Sequence, residues 1–190
     1  MEPEKLAIVG VTLATVVVGL LVGASFLTFP AGDNGGDDPQ ITKYTNDQDL
    51  LALSLVIPSS WEFEMSDGST LDLDDLRGQV IVVDLMATWC PSCNTLNTYL
   101  AEVSDNLAGI AVVISLTVDD SETASMMADY KSTKGLDWAH GLDSDSSFEN
   151  YFGVTNIPTI ILIDGDGVFR YRHVGVWTTA AITDTIASIL

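Results

Sequence analysis

The sequence is poor in the residues that build disulfide scaffolds and metal sites. Its 190 residues include two cysteines and two histidines. Two cysteines exclude a small secreted scaffold held by several disulfides. A structural zinc site needs about four ligands, and His140 and His173 do not form a paired motif that could complete one. The expectation is therefore a protein with no metal and no cofactor.

Basic residues are also scarce. Seven Lys and Arg stand against 27 Asp and Glu, so the formal net charge is −20. Phosphate backbones and anionic membrane surfaces would repel such a body, which excludes nucleic acid as a partner. The acidity is interpreted as an adaptation for solubility in salty surroundings, with a docking surface for cationic partners as the alternative.

Charge is absent from residues 6–29. As a helix this run would be about 36 Å long, enough for the ~30 Å core of a bilayer. A cleaved signal peptide has an apolar segment of only ~7–15 residues, so the run predicts an uncleaved signal anchor. Lys5 precedes it and Asp33 follows it. The positive-inside rule then predicts cytoplasmic residues 1–5 and an extracytoplasmic remainder, anchored by one pass through the cytoplasmic membrane.

The rest of the chain divides into an acidic Gly/Asp-rich linker and lead-in over residues 30–54 and one domain over residues 55–190. Two apolar runs in the domain, residues 80–86 and 110–118, are typical of strands buried on both faces of a parallel sheet. A helical pattern between them predicts a βαβ unit. The other predicted elements are a hairpin over 61–73, helices from 120 or 121 to 134, over 146–152 and over 178–190, and a strand pair at 159–163 and 168–172.

Both cysteines lie where the first apolar strand gives way to the helix, in Trp89-Cys90-Pro91-Ser92-Cys93. At a helix N-terminus, free backbone N–H groups and the helix dipole favour a negative sulfur. Pro91 suits the first helical position. A structural disulfide in so small a loop would stabilise little. The motif therefore predicts a thiolate at Cys90 and dithiol–disulfide exchange with Cys93.

The order of these pieces from about residue 55 to 190 resembles the thioredoxin superfamily, and more closely its membrane-anchored TlpA/ResA/CcmG group of thiol–disulfide oxidoreductases. The matching stretches are residues 86–93, 151–159 and 162–167, with residues 170–175 resembling the cytochrome c maturation branch. The resemblance implies an α/β fold. It would be a thioredoxin-like three-layer α/β/α sandwich with an N-terminal β-hairpin extension, preceded by one transmembrane helix.

The resemblance also implies roles for the residues of the redox motif. Cys90 would be the exposed nucleophile and Cys93 the buried resolving thiol. Trp89 would shield the sulfurs and offer a flat contact to substrate. Pro91 and Ser92, beside the sulfurs, would contact the substrate and tune the reduction potential.

A second substrate contact is implied on another part of the chain. Pro158 would be a cis-proline that faces the cysteines. The backbone of Ile157 would then pair with an extended substrate segment by strand addition.

Two positions depart from the group. Leu96 stands where these relatives usually have glutamate, and Asp84 stands where they usually have asparagine. An aspartate within an apolar strand is costly to bury ionised, so burial should raise its pKa. We expect Asp84 to take the proton from Cys93 during exchange. A hydrogen-bonded structural aspartate is the alternative.

The implied activity is electron exchange through Cys90–Cys93 with cysteines of extracytoplasmic proteins. Apocytochrome c is the candidate substrate, and a membrane thiol is the expected electron donor. One alternative is a peroxiredoxin-like peroxidase, although Ala87 occupies the position where that family has threonine. The other is a non-catalytic thioredoxin-fold module that binds a membrane partner.

Overall fold

The computed structural model describes residues 61–190. Its elements in chain order are β1 (Glu62–Met65), β2 (Thr70–Asp72), a 3-10 helix (Leu73–Leu76), β3 (Val80–Met86), α1 (Pro91–Asn106), β4 (Ala111–Thr117), α2 (Ala124–Lys134), β5 (Ala139–Leu142), α3 (Ser147–Tyr151), β6 (Thr159–Ile163), β7 (Phe169–Val174) and α4 (Thr179–Ile189). No helix within this part of the chain is long and apolar enough to cross a membrane. The predicted anchor at 6–29 and the whole of the predicted linker and lead-in at 30–54 lie outside the described residues.

The strands form one sheet in the order β2-β1-β5-β4-β3-β6-β7. β3 pairs in parallel with β4, and β4 pairs in parallel with β5, whereas the other pairs are antiparallel. Every residue of β3 is buried, as its continuous apolar run predicts. The predicted βαβ unit and both predicted strand pairs are confirmed.

β5 was not predicted, because its four residues include a histidine and a glycine and lack a β-branched run. The glycine has a packing reason. A Cβ at Gly141 would lie 2.7 Å from the carbonyl oxygen of Glu64 on β1. The hairpin therefore approaches β5 so closely that position 141 favours glycine. Glycine weakens the sequence pattern that would predict a strand.

The sheet separates two hydrophobic clusters. Alternate residues of β3 point to opposite faces, so Val82 and Met86 join one cluster, and Val83 and Leu85 the other. We call the first side the cysteine face, because its cluster contains both cysteines together with residues of α1, α2 and α4. The second is the aromatic face, whose cluster includes Phe63, Phe148, Phe152 and Phe169. With helices on both sides, the fold is the predicted thioredoxin-like sandwich.

α2 begins later than predicted. Its N-cap is Thr123, whose side chain accepts a hydrogen bond from the backbone N–H of Met126. The preceding residues form a turn instead, in which the N–H of Glu122 donates to the carbonyl of Asp119 at 2.9 Å. The predicted stop at Gly135 is confirmed, and this residue adopts the left-handed conformation that favours glycine.

The turn between β6 and β7 is a plain hairpin turn. Asp164 Oδ1 accepts hydrogen bonds from the N–H groups of Asp166 and Val168, and Oδ2 accepts one from Arg170 Nε at 2.6 Å. These bonds use the carboxylate to close the turn. Over residues 61–190, no group of three or more His, Cys, Asp or Glu is placed to hold a metal ion.

Candidate redox site at the start of α1

Cys90 and Cys93 form a disulfide with an S–S distance of 2.15 Å. Cys90 is the N-cap of α1 and Pro91 follows as its first residue. The N–H of Cys93 donates to Sγ of Cys90 at 3.1 Å, and Ser92 Oγ lies 3.3 Å from the same sulfur. The predicted placement at the strand-to-helix junction is confirmed. The helix N-terminus directs a hydrogen-bond donor at Sγ of Cys90, where it would stabilise a thiolate.

The prediction of an exposed Cys90 is wrong for this disulfide form. Cys90 is 3% exposed and Cys93 is fully buried. Cys90 is bonded to Cys93 and lies in the same apolar cluster as Met86 and Ala87, with Ile157 packed against that cluster. The resemblance implied that Cys90, at a helix N-terminus, is exposed to solvent, but tertiary packing buries the residue.

Trp89 presents the exposed apolar surface of the site. The residue is 65% exposed, far more than any other tryptophan in the described part of the chain. Its ring N–H donates to Asp119 Oδ2 at 2.7 Å. Hydrogen bonds from Ser121 and then from Trp89 lower the pKa of Asp119, so the acceptor is ionised at neutral pH. The indole is thus held in one orientation with its ring open to solvent.

The Ile157–Pro158 peptide bond is cis, as predicted. Pro158 is buried, and its carbonyl accepts a hydrogen bond from the N–H of Gly175 at 2.8 Å. Ile157 is half-buried against the cluster that contains Cys90 and Cys93. The loop before β6 therefore packs against the cysteine face of the sheet.

Asp84 lies on the cysteine face of the sheet. It is two residues from Val82 and from Met86 along β3, so its side chain points to the same face of the sheet as theirs, and it is fully buried. Oδ2 accepts a hydrogen bond from Ser115 Oγ at 2.9 Å, whereas Oδ1 has no partner within residues 61–190. Burial raises the pKa of Asp84 to about 7, and the hydrogen bond from Ser115 opposes that rise. The carboxyl group can therefore gain or lose a proton near neutral pH.

Two further polar residues continue the row beside Asp84 and were not predicted. Ser115 on β4 is in register with Asp84, and His140 on β5 is in register with Ser115. Trp138 Nε1 donates to Ser115 Oγ at 2.9 Å. Burial lowers the pKa of His140 to about 4, so its ring is neutral. The register of the strands brings the residues of this row together. The one feature of the sequence that could have indicated the row is Ser115, a polar residue inside the apolar run of β4.

Glu122 is a further buried polar residue that the sequence pattern did not predict. This residue is 4% exposed, and its carboxylate accepts hydrogen bonds from the backbone N–H of Thr88 at 2.9 Å, from the hydroxyl of Thr88 and from that of Thr117. Thr88 lies two residues before Cys90. The contact joins segments 34 residues apart, so no local pattern could have revealed it.

A second missed network reaches the first turn of α1 from α2. Asn97 Nδ2 donates to the hydroxyl of Tyr130, which donates to Asn94 Oδ1. Asn94 Nδ2 in turn donates to the carbonyl of Cys90 at 3.2 Å. Helix α2 thereby supports the backbone that carries the disulfide.

The family model named Redoxin matches residues 47–187. The chain belongs to the Redoxin family. Thiol:disulfide interchange protein DsbE of Escherichia coli (strain K12) is 32% identical over 167 residues, which cover 87% of this chain and 85% of that protein. Thiol-disulfide oxidoreductase ResA of Bacillus anthracis is 28% identical over 109 residues, which cover 57% and 62%.

Solved structures agree with this fold. StoA from Bacillus subtilis superposes with a TM-score of 0.59 at 17% identity, covering 68% of this chain and 98% of that one. A thiol-disulfide isomerase from Corynebacterium glutamicum gives a TM-score of 0.63 at 21% identity, covering 74% and 98%. Within the Redoxin family, the chain is a thiol–disulfide oxidoreductase of the DsbE and ResA type.

Proposed function

We propose that this Redoxin protein is a membrane-tethered, extracytoplasmic reductase of protein disulfides that works through Cys90 and Cys93. The observation that carries the proposal is the disulfide at the N-terminus of α1, on the face of the sheet where the buried Asp84 lies. A group that titrates near neutrality on the same face of the sheet as the two cysteines is suited to a reaction in which thiols gain and lose protons.

In the first step, the thiolate of Cys90 attacks one sulfur of a substrate disulfide. The substrate S–S bond breaks, a mixed disulfide forms at Cys90, and one substrate sulfur leaves as a thiolate. The N–H of Cys93, which points at Sγ of Cys90, supports the negative charge of the nucleophile.

In the second step, the ionised carboxylate of Asp84 accepts the proton of the Cys93 thiol. The resulting thiolate attacks Sγ of Cys90, the mixed disulfide breaks, and the second substrate sulfur leaves. The substrate has gained two electrons and the protein ends as the Cys90–Cys93 disulfide. A membrane thiol donor then reduces this disulfide by the same exchange in reverse.

Substrate contact is assigned to the surface around the sulfurs. Trp89 supplies a flat apolar ring, Pro91 is exposed and Ser92 is half-buried. Ile157 packs against the cluster that contains the cysteines, and the buried Pro158 follows it in the chain. An extended substrate segment that pairs with the backbone of Ile157 would bring its cysteine to Cys90.

The substrate and location rest on the sequence. Residues 6–29 would anchor the chain in the cytoplasmic membrane, with the Redoxin domain outside. The similarity to DsbE and ResA supports protein cysteines as the substrate class. We propose the haem-binding cysteines of apocytochrome c as the substrate, on the resemblance of residues 170–175 to the cytochrome maturation branch.

The test uses the full chain with Cys93→Ser. Without the resolving thiol, Cys90 should remain joined to its substrate, so non-reducing gels should show mixed disulfides with an oxidised apocytochrome c. Cys90→Ser is the matched control and should trap nothing. Absence of any mixed disulfide with the Cys93→Ser protein, while wild-type protein is shown to be reducible, would contradict the exchange mechanism.

The same variants separate the alternatives. A binding module would keep its cellular phenotype in both serine variants. A peroxidase would oxidise rapidly with hydrogen peroxide and turn over with a thiol donor. Reduction and then thiol labelling with membrane-impermeant reagents in intact cells test the location, because a cytoplasmic domain would remain unlabelled.

A further inference from the structure

We propose that Glu122 is a positioning residue for the redox pair: its carboxylate fixes the turn that carries Cys90, and its negative charge opposes ionisation of the Cys90 thiol. The inference rests on the proposed role of Cys90 as the nucleophile. It concerns a residue that lies outside the redox motif and touches neither sulfur.

The hydrogen bonds of Glu122 are directed at the turn. Oε1 accepts from both the backbone N–H and the hydroxyl of Thr88, and Oε2 accepts from the hydroxyl of Thr117 at the end of β4. An ionised carboxylate only accepts hydrogen bonds, so this arrangement of donors around both oxygens suits the charged form. Glu122 thus joins the last residue of β4 to the segment between β3 and Cys90.

The turn itself is short. The N–H of Cys90 donates to the carbonyl of Ala87 at 3.1 Å, which places Thr88 and Trp89 inside one tight turn. Consecutive Cα atoms are about 3.8 Å apart, so the Cα atoms of Thr88 and Cys90 lie no more than about 7.6 Å apart. Holding Thr88 therefore holds the backbone from which Cys90 starts α1.

Glu122 differs from the other carboxyl groups near the turn. Asp84 titrates near neutral pH, Asp119 is tied to Trp89, and Asp120 is exposed. Glu122 is 4% exposed, so solvent screens its charge less than that of Asp120. A negative charge held there disfavours a second negative charge on Cys90, which keeps the thiol less acidic and the disulfide harder to reduce.

The size of this effect follows from Coulomb's law. At a separation of ~10 Å and an effective dielectric constant of ~20, two charges shift a pKa by about one unit. We therefore expect removal of the charge to lower the pKa of the Cys90 thiol by about 0.5–1 unit. At pH values above the thiol pKa, the equilibrium constant for reduction of the Cys90–Cys93 disulfide by glutathione should rise about three- to tenfold. This rise corresponds to a reduction potential about 15–30 mV higher.

The experiment measures two quantities in wild-type protein and in Glu122→Gln. They are the thiol pKa of Cys90, from the pH dependence of alkylation, and the equilibrium constant of the pair with glutathione. Glutamine keeps the shape and can still accept from Thr88 and donate to Thr117. Asp120→Asn is the matched control, since it removes an exposed charge from the same loop. It should leave the thiol pKa within about 0.3 unit of wild type and the equilibrium constant within about twofold.

A lower thiol pKa and a larger equilibrium constant in Glu122→Gln alone would support the inference. Wild-type values in Glu122→Gln, or an equal shift in Asp120→Asn, would overturn it. Should wild-type protein itself fail to exchange with glutathione, the proposed exchange function fails instead, so the two failures are distinguishable.

If Glu122→Gln does not fold, Thr88→Val provides the second test. This change replaces the hydroxyl that donates to Oε1 with a methyl group. The carboxylate of Glu122 keeps its charge but accepts one hydrogen bond fewer. The field of the carboxylate at Cys90 becomes stronger, so the thiol pKa should rise. An unchanged or lower thiol pKa in Thr88→Val would overturn the inference.

Discussion

The two faces of the sheet treat buried polar groups in opposite ways. Next to the aromatic face, Asp143 accepts hydrogen bonds from the N–H groups of Phe148 and Glu149, one on each oxygen. On the cysteine face, Asp84 has one bonded oxygen and one with no partner in the described part of the chain. Both carboxyl groups are buried, and burial raises the pKa of Asp143 to about 6 and that of Asp84 to about 7.

This difference indicates that Asp143 has a structural role and Asp84 a chemical one. Asp143 accepts hydrogen bonds from two N–H groups in the first turn of α3, and these bonds oppose the effect of burial on its pKa. Asp84 supports no helix, and its free oxygen leaves it able to exchange a proton. A buried carboxyl group with an oxygen that accepts no hydrogen bond is destabilising in itself, and this cost falls on the face of the sheet that holds the reactive pair.

The hydrophobic partners of the two faces differ as well. Phe148 lies at the centre of a cluster of rings, with centroid distances of 4.9 Å to Trp61, 5.5 Å to Phe63 and 4.7 Å to Phe152. The cysteine face instead carries the disulfide and the polar row of Asp84, Ser115 and His140. We infer that the aromatic face contributes stability, whereas the cysteine face sacrifices some stability for reactivity.

The largest expected effect is on activity, in Cys90→Ser. Without the attacking thiolate, reduction of a substrate disulfide should fall to the uncatalysed rate. The folding free energy should change little, because the lost disulfide closes a very small loop. Turnover with a thiol donor and urea unfolding of the same preparations measure the two effects, and residual catalysis would contradict the assignment of Cys90.

Phe148→Ala should give the opposite result on the other face. Truncation of a fully buried phenylalanine costs about 3–5 kcal/mol, so the urea midpoint should fall strongly. Activity per folded molecule should stay near that of wild type, because no ring of the aromatic cluster contacts the disulfide. A large loss of activity in the folded fraction would show that the two faces are coupled.

Asp84→Asn should change both stability and chemistry, in a pH-dependent way. The folded-state pKa of Asp84 is raised, so its contribution to stability is complete below the unfolded pKa of ~3.9 and is lost as pH rises through about 7. Relative to wild type, Asp84→Asn should therefore gain stability between pH 5 and pH 8, by an amount on the order of a few kcal/mol. Urea unfolding at both pH values measures this gain.

The same variant tests the proton transfer. Resolution of a preformed mixed disulfide by Cys93 should slow about 100-fold or more and lose its dependence on a group titrating near pH 7. The exposed Asp105 provides the control, since Asp105→Asn should leave rate and stability unchanged. An unaltered rate profile in Asp84→Asn would reject the role of Asp84.

Asp143→Asn should show a smaller pH-dependent gain in stability than Asp84→Asn, because the pKa of Asp143 is raised only to about 6. An amide cannot accept hydrogen bonds with both terminal atoms, so the N–H of Phe148 or of Glu149 loses its partner. This lost hydrogen bond should cost about 1–3 kcal/mol and offset the gain, with unchanged kinetics of exchange. Thermal unfolding at pH 5 and pH 8 compares the two variants, and an equal or larger gain in Asp143→Asn would remove the distinction between the carboxyl groups.

The smallest effect is expected for Trp89→Ala. The residue is 65% exposed, so its removal should change stability by no more than about 0.5 kcal/mol. The flat contact to substrate would be lost, and kcat/KM for a protein disulfide should fall about three- to tenfold through KM. Trp89→Phe keeps a ring and should retain most of the activity; equal losses in both variants would instead implicate the hydrogen bond to Asp119.

Much of the fold could be predicted from local patterns. The apolar run of β3, the N-cap and proline that start α1, and the glycine that ends α2 each act through their own neighbours in the chain. The cis bond before Pro158 was also expected, through the match of its motif to a known family. Such features depend on a few adjacent residues, so the amino-acid sequence is sufficient to predict them.

Contacts between distant segments could not be predicted. The burial of Cys90, the pairing of β5 with β4, and the bonds of Glu122 to Thr88 each require segments that the sheet register brings together. Burial and hydrogen bonding depend on the whole packed molecule, because neither the partner nor the exclusion of water is encoded in adjacent residues. The sequence by itself thus determined the redox pair, the strands and helix that carry it and the buried Asp84, and the tertiary structure alone decided the burial of Cys90 and the contact of Glu122 with the preceding turn.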